Sequence, residues 1–440
     1  MSKLISRPVS THIEPVSEGE RSSEGASRPD GGAQTTALPR AYAESLRPLG
    51  IRVRETGELR TYRVEPGRDG ALGIVSRSGA TLDGGAGLEA DLKAGVEADA
   101  ETEAATLIEL DQETWRDLQR DLESAAGLIY GGRMRCLRGD PMHFVHWEPA
   151  LRWLFVGRPV YDPDTIDLRD HRGAPLDPAR GFMLGDDREE MAHFLRTAGY
   201  LWVRGVLSLE ELSTLREEAE RLRAEAREGD QESWWGRRAD GTSVLCRVLR
   251  AGKQPAMRAL HSDARLRGLV DLCDTPMKPM QEAEANDGVT LLWKQPGVEE
   301  GLGDLPWHRD CGMGGHASMC PTAVLSVFLG PNTPEAGELR FLPGSWTSSL
   351  PFAEAHAAQG QGLEGVAPPA QPGDVTLHYG DGMHVAPPPA SARGPHRSCV
   401  LLAFARRDGY HHRGGRHYND VLLGGEDGQI SNLTKMASKV

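Results

Sequence analysis

The tripeptide His308-Arg309-Asp310, followed far downstream by His384, is where this chain has residues suited to chemistry. Two imidazoles and one carboxylate can cover one face of an octahedral metal and leave three adjacent positions open. That is how a non-haem Fe(II) centre accommodates a co-substrate and oxygen. His308 and Asp310 stand two apart, so on an extended strand both side chains point to the same face. A lone His-x-Asp arises often by chance, and His378 lies on the same downstream segment as His384 and competes with it as third ligand. Arg397, on the segment after that, adds a planar guanidinium that fits a carboxylate and stays charged in a partly apolar pocket.

Those residues need strands to hold them. Beyond about Asn286 the chain breaks into short strand-like runs separated by Gly and Pro: Val289 to Lys294, Thr322 to Leu329, Glu338 to Leu342, Asp374 to His378 and Cys399 to Ala405. Many short strands with such turns indicate a sandwich or a jelly roll. The jelly roll is preferred because it places His308 and Asp310 on one strand face, with His384 reaching the same mouth. Upstream, a helix from Asp187 to Thr197 and the buried strand Gly199 to Val206 lead to Ser208 and Glu211, a capping box for a helix striped by Leu212, Leu215, Ala219 and Leu222.

The first part of the chain reads differently. Residues 1–40 are rich in Ser, Gly, Glu and Pro and cannot bury enough surface to offset their ordering entropy, so a disordered tail is expected. Ile51 to Arg54 and Leu59 to Val64 alternate as half-buried strands do, and Gly70 to Gly87 punctuates loops or edge strands. A strand from Ala105 to Leu110 precedes Asp111, a helix cap, and a stripe of Trp115, Leu118 and Leu122. Ala126 to Gly139 reads as a strand pair with a glycine hinge, and Trp147 to Phe155 as a closing helix. The expected domains are therefore 41–160, a linker 161–186 and 187–440, a natural division for 440 residues. The fold class is α+β: a double-stranded β-helix (jelly roll) with flanking helices, preceded by a smaller α/β domain.

A formal charge of −14 argues against a nucleic-acid partner, which normally demands a basic face. Six cysteines (Cys136, Cys246, Cys273, Cys311, Cys320 and Cys399) are scattered without a CxxC pair, as free thiols are. Met1 to Ser10 lack a signal-peptide core, and there is no run of about 18 apolar residues, so no transmembrane helix and a cytoplasmic location are expected.

The ordered set Pro306-Trp-His-Arg-Asp310, Gly337-Glu-Leu-Arg-Phe-Leu-Pro-Gly-Ser-Trp346, Gln371 to His384 and Pro395-His-Arg-Ser-Cys399 resembles the phytanoyl-CoA hydroxylase family of Fe(II)/2-oxoglutarate dioxygenases. The resemblance covers about Asp187 to Arg407. It implies His308, Asp310 and His384 as iron ligands, and the family position favours His384 over His378. It implies Arg397 as the anchor of the distal carboxylate of 2-oxoglutarate, with Lys294 lining the pocket. The family commonly has a serine where this chain has Ala386, so Ser326, Thr322 or Ser398 would have to supply the hydroxyl. More weakly, residues 46–159 resemble the sterol-carrier-protein fold, whose alternative is a generic α/β cap.

Together these imply a dioxygenase that uses Fe(II), 2-oxoglutarate and O2 to hydroxylate a C–H bond, releasing succinate and CO2. The carboxylate of Asp310 disfavours halogenation, for which relatives carry a small residue there. The expected substrate is a small molecule, apolar, lipid-like, acyl-carrier-bound or a natural product. The same oxidant could serve desaturation, cyclisation or epimerisation, and the rival from another class is a lipid-binding or transfer protein with an inactive oxygenase domain. Trp307, Trp346, Trp234 and Trp235 are more often packed than functional in such settings, and His316, His396, His411, His412 and His417 read as surface or loop residues.

Overall fold

The computed structural model describes residues 38–67, 72–78, 104–162, 166–230, 232–280, 287–300, 305–310, 322–350, 364–407 and 440. Most of the expected tail over 1–40 lies outside them, as do Cys311, Cys320, His316, His411, His412 and His417. At its end Leu38 is buried and Arg40 opens helix α1 (Arg40–Ser45), so folded structure is present before Ala41.

The first layer contains β1 (Leu49–Val53), β2 (Leu59–Pro66), β3 (Leu72–Ser78), β4 (Thr106–Leu110), α2 (Gln112–Gln119), α3 (Ala125–Tyr130), β5 (Arg135–Arg138) and α4 (Pro141–Val156). Its sheet has the order β3-β2-β1-β4-β5, with β1 and β4 parallel. Asp111 caps α2 as expected, its carboxylate accepting from the Thr114 amide at 2.7 Å. The strand expected over Ala126 to Tyr130 is a helix instead. Ser124 caps it through the Gly127 amide at 2.9 Å, and alanine and leucine there favour helix over strand. α4 starts earlier than Trp147 because Pro141 is well suited to the first helical turn, and it ends at Gly157 in the left-handed region. Rings fill the middle of this layer: Tyr62 lies 6.4 Å from the wholly buried Trp147 and 6.2 Å from Phe155, which in turn meets Trp115 at 5.5 Å.

The remainder is built from α5 (Arg188–Ala198), β6 (Tyr200–Val203), α6 (Leu209–Glu225), β7 (Ser233–Arg238), β8 (Ser243–Val248), α7 (Pro255–Ala259), α8 (Ala264–Val270), β9 (Met277–Pro279) and β10 (Val289–Trp293). There follow β11 (Val298–Glu300), β12 (Leu305–His308), β13 (Thr322–Phe328), β14 (Arg340–Phe341), β15 (Val375–Tyr379), β16 (His384–Ala386) and β17 (Ser398–Arg406). Among the described residues these strands make a nine-stranded sheet, β11-β7-β8-β10-β17-β13-β15-β6 with β9 beside β17, and a three-stranded sheet, β12-β16-β14. The chain is thus mixed α and β with largely antiparallel sheets.

Side chains alternate across the large sheet. On one face Leu291, Leu325, Val327, Leu377, Val400 and Leu402 form a core with the helices, to which α6 contributes Leu212, Leu215, Ala219 and Leu222. The other face, carrying Val324, Ser326, Thr376, His378 and Leu401, looks toward the small sheet. Tyr200 stacks on Phe341 at 4.6 Å, joining the two. The segment read as a linker is tied down at both ends. Tyr161 N donates to Ser349 O and Ser349 N to Pro159 O, each at 2.8 Å, while Phe182 is buried and bonded through its backbone to Trp202 and Arg204.

The capping box at α6 is present in both directions, Ser208 Oγ accepting from Glu211 N and Glu211 Oε2 from Ser208 N. Ser208→Ala removes one of them and is expected to cost about 1 kcal/mol, read as a lower urea midpoint with the slope unchanged.

Candidate metal centre

β12 and β16 pair antiparallel so that His308 stands directly opposite His384, and β14 sets Phe341 on the other side of His384. The two imidazole rings lie 4.1 Å apart between centroids. Asp310 falls just beyond the end of β12 rather than on it, and its amide bonds to Gly380 O at 3.0 Å. Gly380 N in turn donates to Thr322 O at 3.0 Å, tying the carboxylate's backbone to β13. Asp310 Oδ1 is 3.6 Å from His384 Nε2 and 4.0 Å from His308 Nε2. One ligand atom from each of the three residues falls within 4.8 Å of the others, a spacing that can hold one metal ion.

The protonation states suit a cation. His384 Nδ1 donates to Gly382 O at 3.0 Å, which fixes the proton on that nitrogen and leaves Nε2 as a lone pair facing Asp310. Burial, with His308 nearby, pushes the His384 imidazole well below its usual range. Burial acts against ionisation of Asp310, but His384, His378 and His308 outweigh it and hold the carboxyl well below the ordinary carboxylate range. Neutral imidazoles facing an ionised carboxylate are the forms that bind a divalent metal.

His378 lies in the strand interior, as expected, in contact with the carboxylate. Weighed from sequence as a rival ligand, it sits on β15 with Nε2 donating to Asp310 Oδ2 at 3.3 Å, on the oxygen not turned to the other histidines. Its ring is buried among Phe341 and His384. A strand-interior position two residues after Thr376 was the only signal available for it.

The cationic residues gather at the other end of the same face. Arg397 is buried, with Nε donating to Gly337 O at 2.8 Å and Nη1 to Cys399 Sγ at 3.6 Å; no carboxylate pairs with it among the described residues. Burial, and the like charge of Arg247, lower its pKa. Lys294, just past the end of β10, donates its backbone amide to Arg397 O at 2.8 Å and its ammonium to Ala386 O at 2.5 Å, two residues past His384. Of the three hydroxyls named from sequence, Ser326 lies on the site face, fully buried, with Oγ lacking a protein partner among the described residues. Thr376, directly across from it, is in the same state. Thr322 is at the far end of β13, beside Gly380, and Ser398 alternates to the opposite face from Arg397.

Behind the centre lies a feature with no sequence signal. Arg309, between His308 and Asp310, turns away from them and donates to Ser348 O at 2.7 Å and Met383 Sδ at 3.3 Å. Arg158 donates from the same side to Trp346 O at 2.7 Å and Asp381 Oδ2 at 3.0 Å. Trp307 packs with Tyr161, Leu342, Met383 and Val385; Trp346 stacks on Tyr379 at 4.2 Å; Trp234 joins the core of the first layer and Trp235 packs on that of the second. His396 bonds Ser391 O in a loop.

Residues 195–398 match the phytanoyl-CoA dioxygenase (PhyH) family. The match covers the segments that hold the three candidate ligands, and the resemblance read from the motifs stands for this region. Members of that family are Fe(II)- and 2-oxoglutarate-dependent non-haem iron oxygenases that use O2. Similar solved structures include AviO1 from Streptomyces viridochromogenes Tue57 (26% identity over 51% of this chain and 98% of that one, TM-score 0.40). EctD from S. alaskensis, solved with 2-oxoglutarate and 5-hydroxyectoine, is 21% identical over 57% and 86%, TM-score 0.39. HygX from Streptomyces hygroscopicus, with nickel and 2-oxoglutarate bound, is 19% identical over 50% and 87%, TM-score 0.37. No curated protein sequence matches the chain. No helix among the described residues is long and apolar enough to cross a membrane.

Gly337 has φ +81°, and a Cβ there would stand 2.9 Å from Lys294 Cε and 3.2 Å from Pro387 O. Gly337→Ala is expected to cost about 2 kcal/mol, from left-handed strain plus displacement of Lys294, visible as a lower melting temperature.

Proposed function

We propose that this protein hydroxylates a C–H bond of a small, largely apolar substrate, with His308, Asp310 and His384 as the iron ligands and Arg397 as the anchor of 2-oxoglutarate. The observation that carries the reading is the pairing of His308 with His384 around an ionised Asp310, with His384 Nε2 free of its proton. The fit to 2-oxoglutarate rests on the buried Arg397, a guanidinium without a carboxylate among the described residues. A buried cation of this kind calls for an anion. Lys294 steadies β16 through Ala386 O, and the uncommitted hydroxyl of Ser326 takes the place of the serine that Ala386 replaces.

On this reading the two facing sheets are the walls of a jelly roll, and residues 41–160, 161–186 and 187–440 are its accessory domain, connector and catalytic domain. Bound Fe(II), 2-oxoglutarate and O2 supply the oxidising chemistry, with succinate and CO2 as by-products. The chain's own part is to hold the His384 imidazole neutral, keep Asp310 ionised beside His384 and His378, and orient the dicarboxylic acid with Arg397. Val324, Leu401 and Ala403, half-buried on the site face, give the substrate an apolar floor. The first layer, whose middle is filled by Tyr62, Trp115, Trp147 and Phe155, is the less suitable place for an apolar ligand.

Purified protein given Fe(II), 2-oxoglutarate and O2 is expected to release succinate, and Asp310→Ala to abolish it. No release from wild type, or equal release from Asp310→Ala, would favour a non-catalytic binding protein. Arg397→Met is expected to raise the KM for 2-oxoglutarate by about 10- to 100-fold, the loss of a charged hydrogen-bonded partner, while Fe(II) affinity measured without 2-oxoglutarate stays near wild type. For the substrate, succinate formation stimulated by apolar members of a metabolite panel, and lost in Leu401→Glu, is the expected pattern; stimulation only by polar, charged compounds would overturn it.

A further inference from the structure

We propose that Arg158, from the chain that leaves the first layer, is a positioning residue for the iron site, so that this layer helps shape the metal centre. The inference rests on the iron reading above. Six buried or largely buried charges form one cluster behind the ligands. Arg152 pairs with Asp121 at 2.9 Å and with Glu148 at 2.9 Å, all within the first layer. Arg158 lies 4.0 Å from the other oxygen of Asp121 and 3.0 Å from Asp381. Arg309 completes three cations against three carboxylates, feeling Arg158 and Arg152 as like charges and Asp381 and Glu148 as opposite ones.

Two of these charges belong to the ligand-bearing segments themselves. Arg309 separates His308 from Asp310, and in extended chain its side chain must face away from theirs. Asp381 lies in the turn from Tyr379 to His384, whose Gly380 carbonyl holds the Asp310 amide and whose Gly382 carbonyl orients His384. Arg158 and Arg309 converge on one further group, the carbonyl of Ser348, at 3.3 Å and 2.7 Å. Arg158 also takes Trp346 O, and Ser345 Oγ in the same turn accepts from Met383 N at 2.8 Å. The guanidinium of Arg158 therefore braces, from behind, both segments that must converge on one ion. Asp381 is 1% exposed, so removing Arg158 would take a directly bonded cation from a charge with little water around it, and the turn would rearrange in response. Supports of this kind around metal ligands govern affinity for the ion as well as the fold.

The test compares full-length wild type, Arg158→Gln, Asp381→Asn and the double variant, with Ile129→Val in the first-layer core as a control for lost stability alone. Wild-type Fe(II) binding examines the iron reading; the ratio of variant to wild type examines this one. Arg158→Gln is expected to weaken Fe(II) by about tenfold or more, to speed amide hydrogen exchange at Gly380 to Met383 in metal-free protein, and to be partly rescued in the double variant, where neither charge is left alone. Ile129→Val should lower the melting temperature without moving either readout. Should Arg158→Gln fail to fold, Arg158→Lys and the double variant carry the same comparison. Fe(II) affinity and turn exchange within twofold of wild type in a folded charge variant, or equal losses in Ile129→Val, would overturn the proposal.

Discussion

An ionised carboxylate held among three imidazoles is the interaction on which the rest of the structure depends. Asp310 would be costly as an anion if it were merely buried; His384, His378 and His308 more than offset that cost. His384 is held neutral because burial and the neighbouring His308 disfavour a proton, and Gly382 O dictates where its remaining ring proton sits. Such a balance requires the three rings and the carboxyl oxygens to be placed within about 0.5 Å. The fold supplies this through backbone pairing: β12 against β16, β16 against β14, and Asp310 N through Gly380 to β13.

The large sheet divides labour between its faces. Its helix-covered face is a continuous apolar core, while the opposite face carries polar and half-buried residues that need a partner layer. The small sheet and the cationic end at Arg397 and Lys294 provide that partner. A buried guanidinium such as that of Arg397, without a carboxylate among the described residues, and hydroxyls such as those of Ser326 and Thr376, without a bond among them, are expensive in a core. They make physical sense in a site that receives a ligand bearing the complementary groups, which is how the proposed cofactor arrangement accounts for them.

The first layer enters the same economy of charge through Arg152, Asp121 and Arg158. A buried ion pair adds little net stability over a well-packed apolar one, but removing one partner typically costs about 3–5 kcal/mol. Such a cluster therefore ties the layers to a single relative arrangement more than it strengthens them. Trp234 and Leu249, which pack into the core of the first layer, reinforce the same junction from β7 and the end of β8.

Local patterning carried much of this in the sequence alone. His308 and Asp310 at a spacing of two, the Ser208–Glu211 capping box, Asp111 as a cap and the alternation along β10, β13 and β17 are all set by neighbours within a few residues, where rotamer, cap and pleat preferences act. The motif order pointed to Arg397 for a dicarboxylic acid. What only the tertiary structure decided was long-range. It showed that His378 serves Asp310, that Ser326 and not Ser398 faces the site, that Ala126 to Tyr130 is helical once Ser124 caps it, and that Arg158 meets Asp381. Ion pairs and facing side chains between distant segments depend on how whole layers pack. No residue's own neighbours encode that, so a one-dimensional pattern leaves it open.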